Sequence, residues 1–136
     1  MRYISASMVV PVVGNFLKNG VVAIDESGVV TGVYEQNDVR ILQKEKEIYD
    51  GVLIPGFVNA HCHIELSHML GKTKKGTGLP KFLSDIIKMR TSPEKEILEA
   101  IAQADKQMWD NGIQAVGDHV NTAFSAEVKA NSGITY

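Results

Sequence analysis

The sequence predicts an α/β chain in two structural parts, and three observations predict it. Valine-rich runs separated by glycine turns fill the first fifty residues. Near residue 70 the hydrophobic spacing changes from that of strands to that of helices. From Gly51 onward strand-like and helix-like segments alternate, the pattern of a parallel sheet with helical crossovers.

The β-rich part reads as "SMVVPVV", "GVVAID" and "VVTGVY", punctuated by the turn pairs Asn19-Gly20 and Ser27-Gly28. The run "GVVAIDESGVVTGVY" predicts two strands around Glu26-Ser27-Gly28. A charged stretch, Gln43 to Asp50, leads into "GVLIPGFVNA", almost continuously apolar and expected to form one strand buried on both faces. After the lysine- and glycine-rich loop "KTKKGTG", residues Leu79, Phe82, Leu83, Ile86 and Ile87 take helical spacing. A second helix is signalled by Ser92 as N-cap, Pro93 at the first helical position, and Glu94 and Glu96 at the positive end of the dipole. Its apolar stripe is Ile97, Ile101, Ala104 and Met108, and Asn111-Gly112 ends it. The strand "IQAV" follows, closed by "GDHVNT", then a short helix within 122–130, a turn at Asn131-Ser132-Gly133, and the opening of another strand at Ile134-Thr135-Tyr136. Two domains are therefore expected, 1–50 and 51–136. A parallel sheet stopping there has an unpaired edge, so the chain is expected to be part of a larger protein.

With 44% hydrophobic residues and twelve glycines, the chain has the makings of a packed core and is not a disordered polymer. Its net charge of −2 and lack of a basic stripe argue against nucleic acid as partner. The single cysteine, Cys62, excludes an internal disulfide and a Cys-rich zinc site. No signal peptide or membrane-length apolar run is read, so a cytoplasmic location is expected.

The stretch "PGFVNAHCHIELSH", Pro55 to His68, holds three of the four histidines. On a strand alternate residues share a face, so His61, His63 and Glu65 are expected on one side and Cys62 and Ile64 on the other. Two imidazoles so placed suit one transition metal, with the apolar strand as rigid support. Two rivals fail on spacing. The helical zinc-protease motif needs histidines four apart with glutamate directly after the first, whereas His63 and His68 are five apart and Glu65 is two beyond His63. The nucleobase deaminases with His-x-Glu also need Pro-Cys-x-x-Cys, which one cysteine cannot supply.

With those residues in place, "GVLIPGFVNAHCHIELS" resembles the first barrel strand of the amidohydrolase superfamily, and "NGVVAIDESGVVTGV" is similar to its N-terminal β-sandwich strands. Within the superfamily the chain looks most like the cytosine deaminase and chlorohydrolase-related branch, and "HIELSH" followed by "GTGLPKFLSDIIKMR" further resembles the aminodeoxyfutalosine deaminases. The resemblance implies the N-terminal part of a (β/α)8 TIM barrel preceded by strands of a small β-sandwich, in a truncated chain, since such a barrel takes roughly 250 residues. It implies His61 and His63 as the first two ligands of a divalent transition metal, zinc ahead of iron. Further ligands on the fifth, sixth and eighth barrel strands, and the acid and base groups, have no counterpart here. The missing part of the barrel is thus the chain's expected partner, beside a small-molecule substrate; no membrane is expected, and a homo-oligomer is left open.

The implied chemistry is hydrolysis of a non-peptide C–N bond by metal-activated water, as in deamination of an aminopurine-type or other cyclic amidine. This chain alone is expected to be inactive. Glu65 is a candidate to hold substrate or orient a ligand histidine. His119, with Asp118 at the end of the second strand, is a candidate to touch substrate, although relatives often carry a small or apolar residue there. Cys62 and Trp109 are read as packing, His68 as outside the metal's ligands, and Lys72, Lys74 and Lys75 as a solvated loop. Two other readings stand beside this one: a cyclic-amide hydrolase of the dihydroorotase or imidazolonepropionase type, and a non-catalytic fragment or interaction module.

Overall fold

The computed structural model describes all residues, Met1–Tyr136. They form two compact units, Met1–Pro55 and Gly56–Tyr136.

In the first unit a five-stranded sheet is built on β1 (Arg2–Val9). One edge of β1 pairs antiparallel with the short β2 (Leu17–Lys18) and with β3 (Val21–Ile24), in register Met8↔Lys18 and Ile4↔Val22. Asn19, at φ 50°, makes the corner between β2 and β3. β3 turns back into β4 (Val30–Tyr34) through Gly28, at φ 85°. Asp25 closes that turn by accepting the amides of Ser27 and Val29 on one carboxylate oxygen. The other edge of β1 takes β5 (Glu47–Leu53) in parallel, with Arg2 and Glu47 clasped by two hydrogen bonds of 2.8 and 2.7 Å. Ala6, Val9 and Val22 are buried, with Leu17, Ile24 and Leu53 packed on them.

The run expected as one strand is two. Glu47–Leu53 belongs to the first sheet, and β6 (Phe57–Cys62) pairs in parallel with β7 (Ile113–Asp118). Ile54, Pro55 and Gly56 interrupt pairing, where proline has no amide to donate; Gly56 sits so close to the next strand that a Cβ on it would stand 2.0 Å from Gln114 Cγ. Nor is β6 buried on both faces: Phe57 and Val58 are exposed.

After β6 come a 3₁₀ helix (Ile64–Met69), α1 (Leu79–Met89) and α2 (Glu94–Asp110). α2 begins one residue later than its capping signals imply: Pro93 is the flanking residue and no side chain caps it. Its stripe does what the spacing predicts. Ile97 and Ile101 are buried against Ile64, with Ala104, Met108, Cys62, Phe124, Val128 and Tyr136 around them. α1 buries none of its residues, although its apolar stripe is regular. α3 (Ala126–Asn131) follows β7. Thr135 then makes a parallel bridge to Ala115, with Val116 N–H to Thr135 O at 2.8 Å and Thr135 N–H to Gln114 O at 3.0 Å.

Candidate metal centre

The C-terminal ends of the parallel strands β6 and β7 carry the histidines. Strand pairing ends at Cys62↔Asp118, and the His119 amide still donates to Cys62 O at 2.9 Å. That contact brings the residue after β7 beside the residues that end β6. The ring centres of His61 and His63 are 5.0 Å apart, and His119 adds a third ring, 4.6 Å from His61 and 5.8 Å from His63. All three side chains lie on an exposed surface.

His63 is oriented by a specific bond. Its Nδ1 lies 2.7 Å from the His119 carbonyl oxygen. A carbonyl only accepts, so Nδ1 carries a proton, and in the neutral form of the ring the lone pair lies on Nε2. A carbonyl behind one ring nitrogen is the usual way a metal-binding imidazole has its other nitrogen made available. A ring nitrogen about 2.1 Å from zinc puts the ring centre about 3.2 Å from it, so two imidazoles at a tetrahedral angle stand about 5.2 Å apart. The 5.0 Å between His61 and His63 fits that requirement. The pair therefore suits a zinc-sized ion; no group of three or more His, Cys, Asp or Glu side chains is placed to hold one.

Glu65 does not continue the strand face, because the chain enters the 3₁₀ helix at Ile64. Its side chain turns inward and is buried. The carboxylate accepts the backbone amide and side-chain nitrogen of Asn121, and the amide and hydroxyl of Thr122, at 2.7 to 3.0 Å. Burial alone would raise this carboxyl, but the bonds from Thr122 and Asn121 outweigh it and hold its pKa below the ordinary value.

A second carboxylate ties the same two segments together from the β7 side. Asp118 Oδ1 accepts the Ile64 amide at 2.9 Å, and Lys129 Nζ stands 2.5 Å from Oδ2. That oxygen is buried without a hydrogen bond of acceptable angle, so Lys129 acts on it as a charge and not as a directed donor. Sequence reasoning missed Asn121, Thr122 and Lys129; the only signal was the polar pair closing "GDHVNT". Cys62 packs on the helical core, and burial, then the Asp118 charge, hold its thiol pKa above the ordinary value. His68 faces the other way, its Nδ1 3.1 Å from Glu65 O and its Nε2 3.0 Å from Arg90 O.

Residues 52–132 match the amidohydrolase family, and the chain belongs to that family. No curated protein matches it. Among solved structures it is similar to Helicobacter pylori aminofutalosine deaminase in complex with methylthio-coformycin, at 19% identity and a TM-score of 0.79, over 98% of this chain and 33% of that one. It is also similar to guanine deaminase from C. acetobutylicum with bound guanine (15% identity, TM-score 0.72, 98% of this chain and 34% of that one). A third is an adenosine deaminase from Xanthomonas campestris with bound zinc (21% identity, TM-score 0.66, 95% and 31%). At these identities the likeness is one of fold: mixed α/β, spanning about a third of the length of each structure.

Proposed function

We propose that this chain is the metal-binding opening segment of a metal-dependent hydrolase that cleaves non-peptide C–N bonds, with deamination of an aminopurine-type ring as its reaction. The observation that carries the reading is the His63 Nδ1 contact to the His119 carbonyl, beside a second imidazole at ligand spacing. On this reading Met1–Pro55 contributes strands to a small β-sandwich, and β6 and β7 are the first two strands of a TIM barrel completed by further chain. The similar folds of three deaminases support it, one of them with bound zinc.

His61 and the Nε2 of His63 would hold the ion, zinc ahead of iron. When bound, such a cation polarises a substrate atom and lowers the pKa of water towards 7, so that hydroxide is available at neutral pH. His61 and His63 would hold the ion and would move no proton in the reaction. His119, exposed beside His61, is the side chain placed to touch substrate. Glu65 has two candidate roles, substrate contact and orientation of a ligand; its buried, fully engaged carboxylate supports the second.

The test is zinc titration of the chain by calorimetry, together with ammonia release from aminopurine nucleosides by the protein carrying the completed barrel. Zinc binding lost in His61→Ala and in His63→Ala, with ammonia release, is the expected result. Ring opening of cyclic amides without ammonia release would replace deamination with cyclic-amide hydrolysis. Zinc binding unaffected by either substitution would remove the metal reading.

A further inference from the structure

The Glu65 carboxylate is spent entirely inside the protein, and the loop it holds is the loop that orients His63. Oε1 accepts the Asn121 amide and Asn121 Nδ2, and Oε2 accepts the Thr122 amide and hydroxyl and shares the Asn121 amide. Two residues upstream of Asn121, the His119 carbonyl accepts from His63 Nδ1. Two residues upstream of Glu65 in its own segment stands His63 itself. The tripeptides His63–Glu65 and His119–Asn121 are thus tied at both ends into one closed ring of chain. Asp118, just outside that ring, accepts the Ile64 amide and adds a further tie between the two segments.

We propose that Glu65 is a positioning residue for His63: it pins Asn121 and Thr122, which fixes the His119 carbonyl, and that carbonyl holds the His63 ring in the tautomer whose Nε2 is bare. The geometry supplies the reason. The His119 carbonyl lies in an exposed loop beyond the last paired residue of β7, where backbone is ordinarily free to turn. Five charge-assisted contacts from one buried carboxylate remove that freedom. Without them the carbonyl can rotate away and the imidazole can exchange its proton to Nε2, which blocks that nitrogen as a ligand. Only the consequence for metal binding rests on the proposed function, in which His63 holds the ion; the tautomer readout below needs no metal, so the two fail separately.

The experiment is long-range proton–nitrogen NMR of the histidine rings in the metal-free 136-residue chain, with amide exchange followed in the same sample. The wild-type chain should show His63 protonated on Nδ1 and bare on Nε2. In Glu65→Ala the Asn121 and Thr122 amides should exchange on the order of tenfold faster, as expected for losing bonds to a charged acceptor. His63 should shift towards the Nε2-protonated form. Thr122→Val, which removes one contact and keeps the carboxylate, should give a smaller shift the same way and serves if Glu65→Ala does not fold. Tyr136→Phe, which breaks the part-buried Tyr136–Asp105 bond and leaves every Glu65 contact in place, is the control for plain destabilisation. Zinc affinity measured in parallel should fall about tenfold or more in Glu65→Ala, the usual cost of losing a supporting contact behind a ligand. His63 remaining protonated on Nδ1 in Glu65→Ala, or shifting equally in Tyr136→Phe, would overturn the proposal. A tautomer shift in Glu65→Ala with no zinc bound by either form would leave the positioning role standing and remove the metal reading instead.

Discussion

Lys129 neutralises Asp118: its Nζ stands 2.5 Å from an aspartate side chain that is 1% exposed. The other oxygen of Asp118 is already engaged with the Ile64 amide, so the lysine is the only cation acting on the buried charge. Removing one partner of such a pair leaves an uncompensated charge, which costs more than the pair itself contributes. Lys129→Met is expected to destabilise the chain by about 3 kcal/mol, and Lys129→Met with Asp118→Asn to cost clearly less than that. Urea denaturation of both variants checks this, and equal losses would show that Asp118 does not depend on the lysine.

Under the proposed function, His61 and His63 hold the metal and His68 does not. His61→Ala and His63→Ala should each abolish retention of zinc through dialysis in the protein with its barrel complete. His68→Ala should keep the zinc, because both its ring nitrogens face backbone carbonyls. Elemental analysis of the three variants decides it. Zinc lost in His68→Ala and kept in His61→Ala would reverse the assignment.

Gly117 is a packing requirement. A Cβ there would lie 2.8 Å from Ala60 O, a backbone atom of the neighbouring strand that cannot swing aside. Gly117→Ala should therefore force β6 and β7 apart and cost about 1–3 kcal/mol, the range for overpacking a tight site. The His61 and His119 rings flank this contact in sequence. Chemical shifts of both rings should move in Gly117→Ala, and they should stay fixed in Gly28→Ala, whose site is open.

Tyr136 gives the unit a dependence on alkaline pH. Burial, then the hydrogen bond to Asp105, push its phenol well above the ordinary value of 10.0. A group whose pKa is raised by folding contributes fully below the unfolded value and progressively less as pH climbs past it. Stability should therefore fall faster above pH 10 in wild type than in Tyr136→Phe, while Tyr136→Phe is the less stable protein at neutral pH. Thermal unfolding at pH 7, 9 and 10.5 tests the convergence, and parallel curves would show that the phenol ionises alike in both states.

Features governed by local chemistry were legible from the residues. Ile97, Ile101, Ala104 and Met108 recur at helical spacing, and the core forms on that stripe. Asn111-Gly112 ends α2, with Gly112 at φ 80°. The division of "GVLIPGFVNA" between two sheets was not legible, because an apolar run carries no mark of which strand it pairs with. At the site, the spacing of His61 and His63 announces that their rings meet, and His119 joins them through a contact 56 residues away. The engagement of Glu65 was hidden for the same reason: its partners sit 56 and 57 residues downstream, and Asn121-Thr122 looks like any polar turn. Asp118 and Lys129 likewise resemble ordinary surface charges until α3 folds back onto β7.

The two carbonyls that face His68 belong to Glu65 and Arg90, so one imidazole spans the stem of everything between Met69 and Met89. That stretch includes the lysine-rich loop and all of α1, which buries nothing. Because its two feet are pinned, the loop 71–78 within that stretch can change length without moving them. A loop closed at its base loses little extra entropy for added length. The histidines at the strand ends would not register such a change. The fold therefore joins a fixed floor to a tethered awning, and residues inserted in the lysine-rich loop 71–78 should leave the chemical shifts of the His61 and His63 rings unchanged.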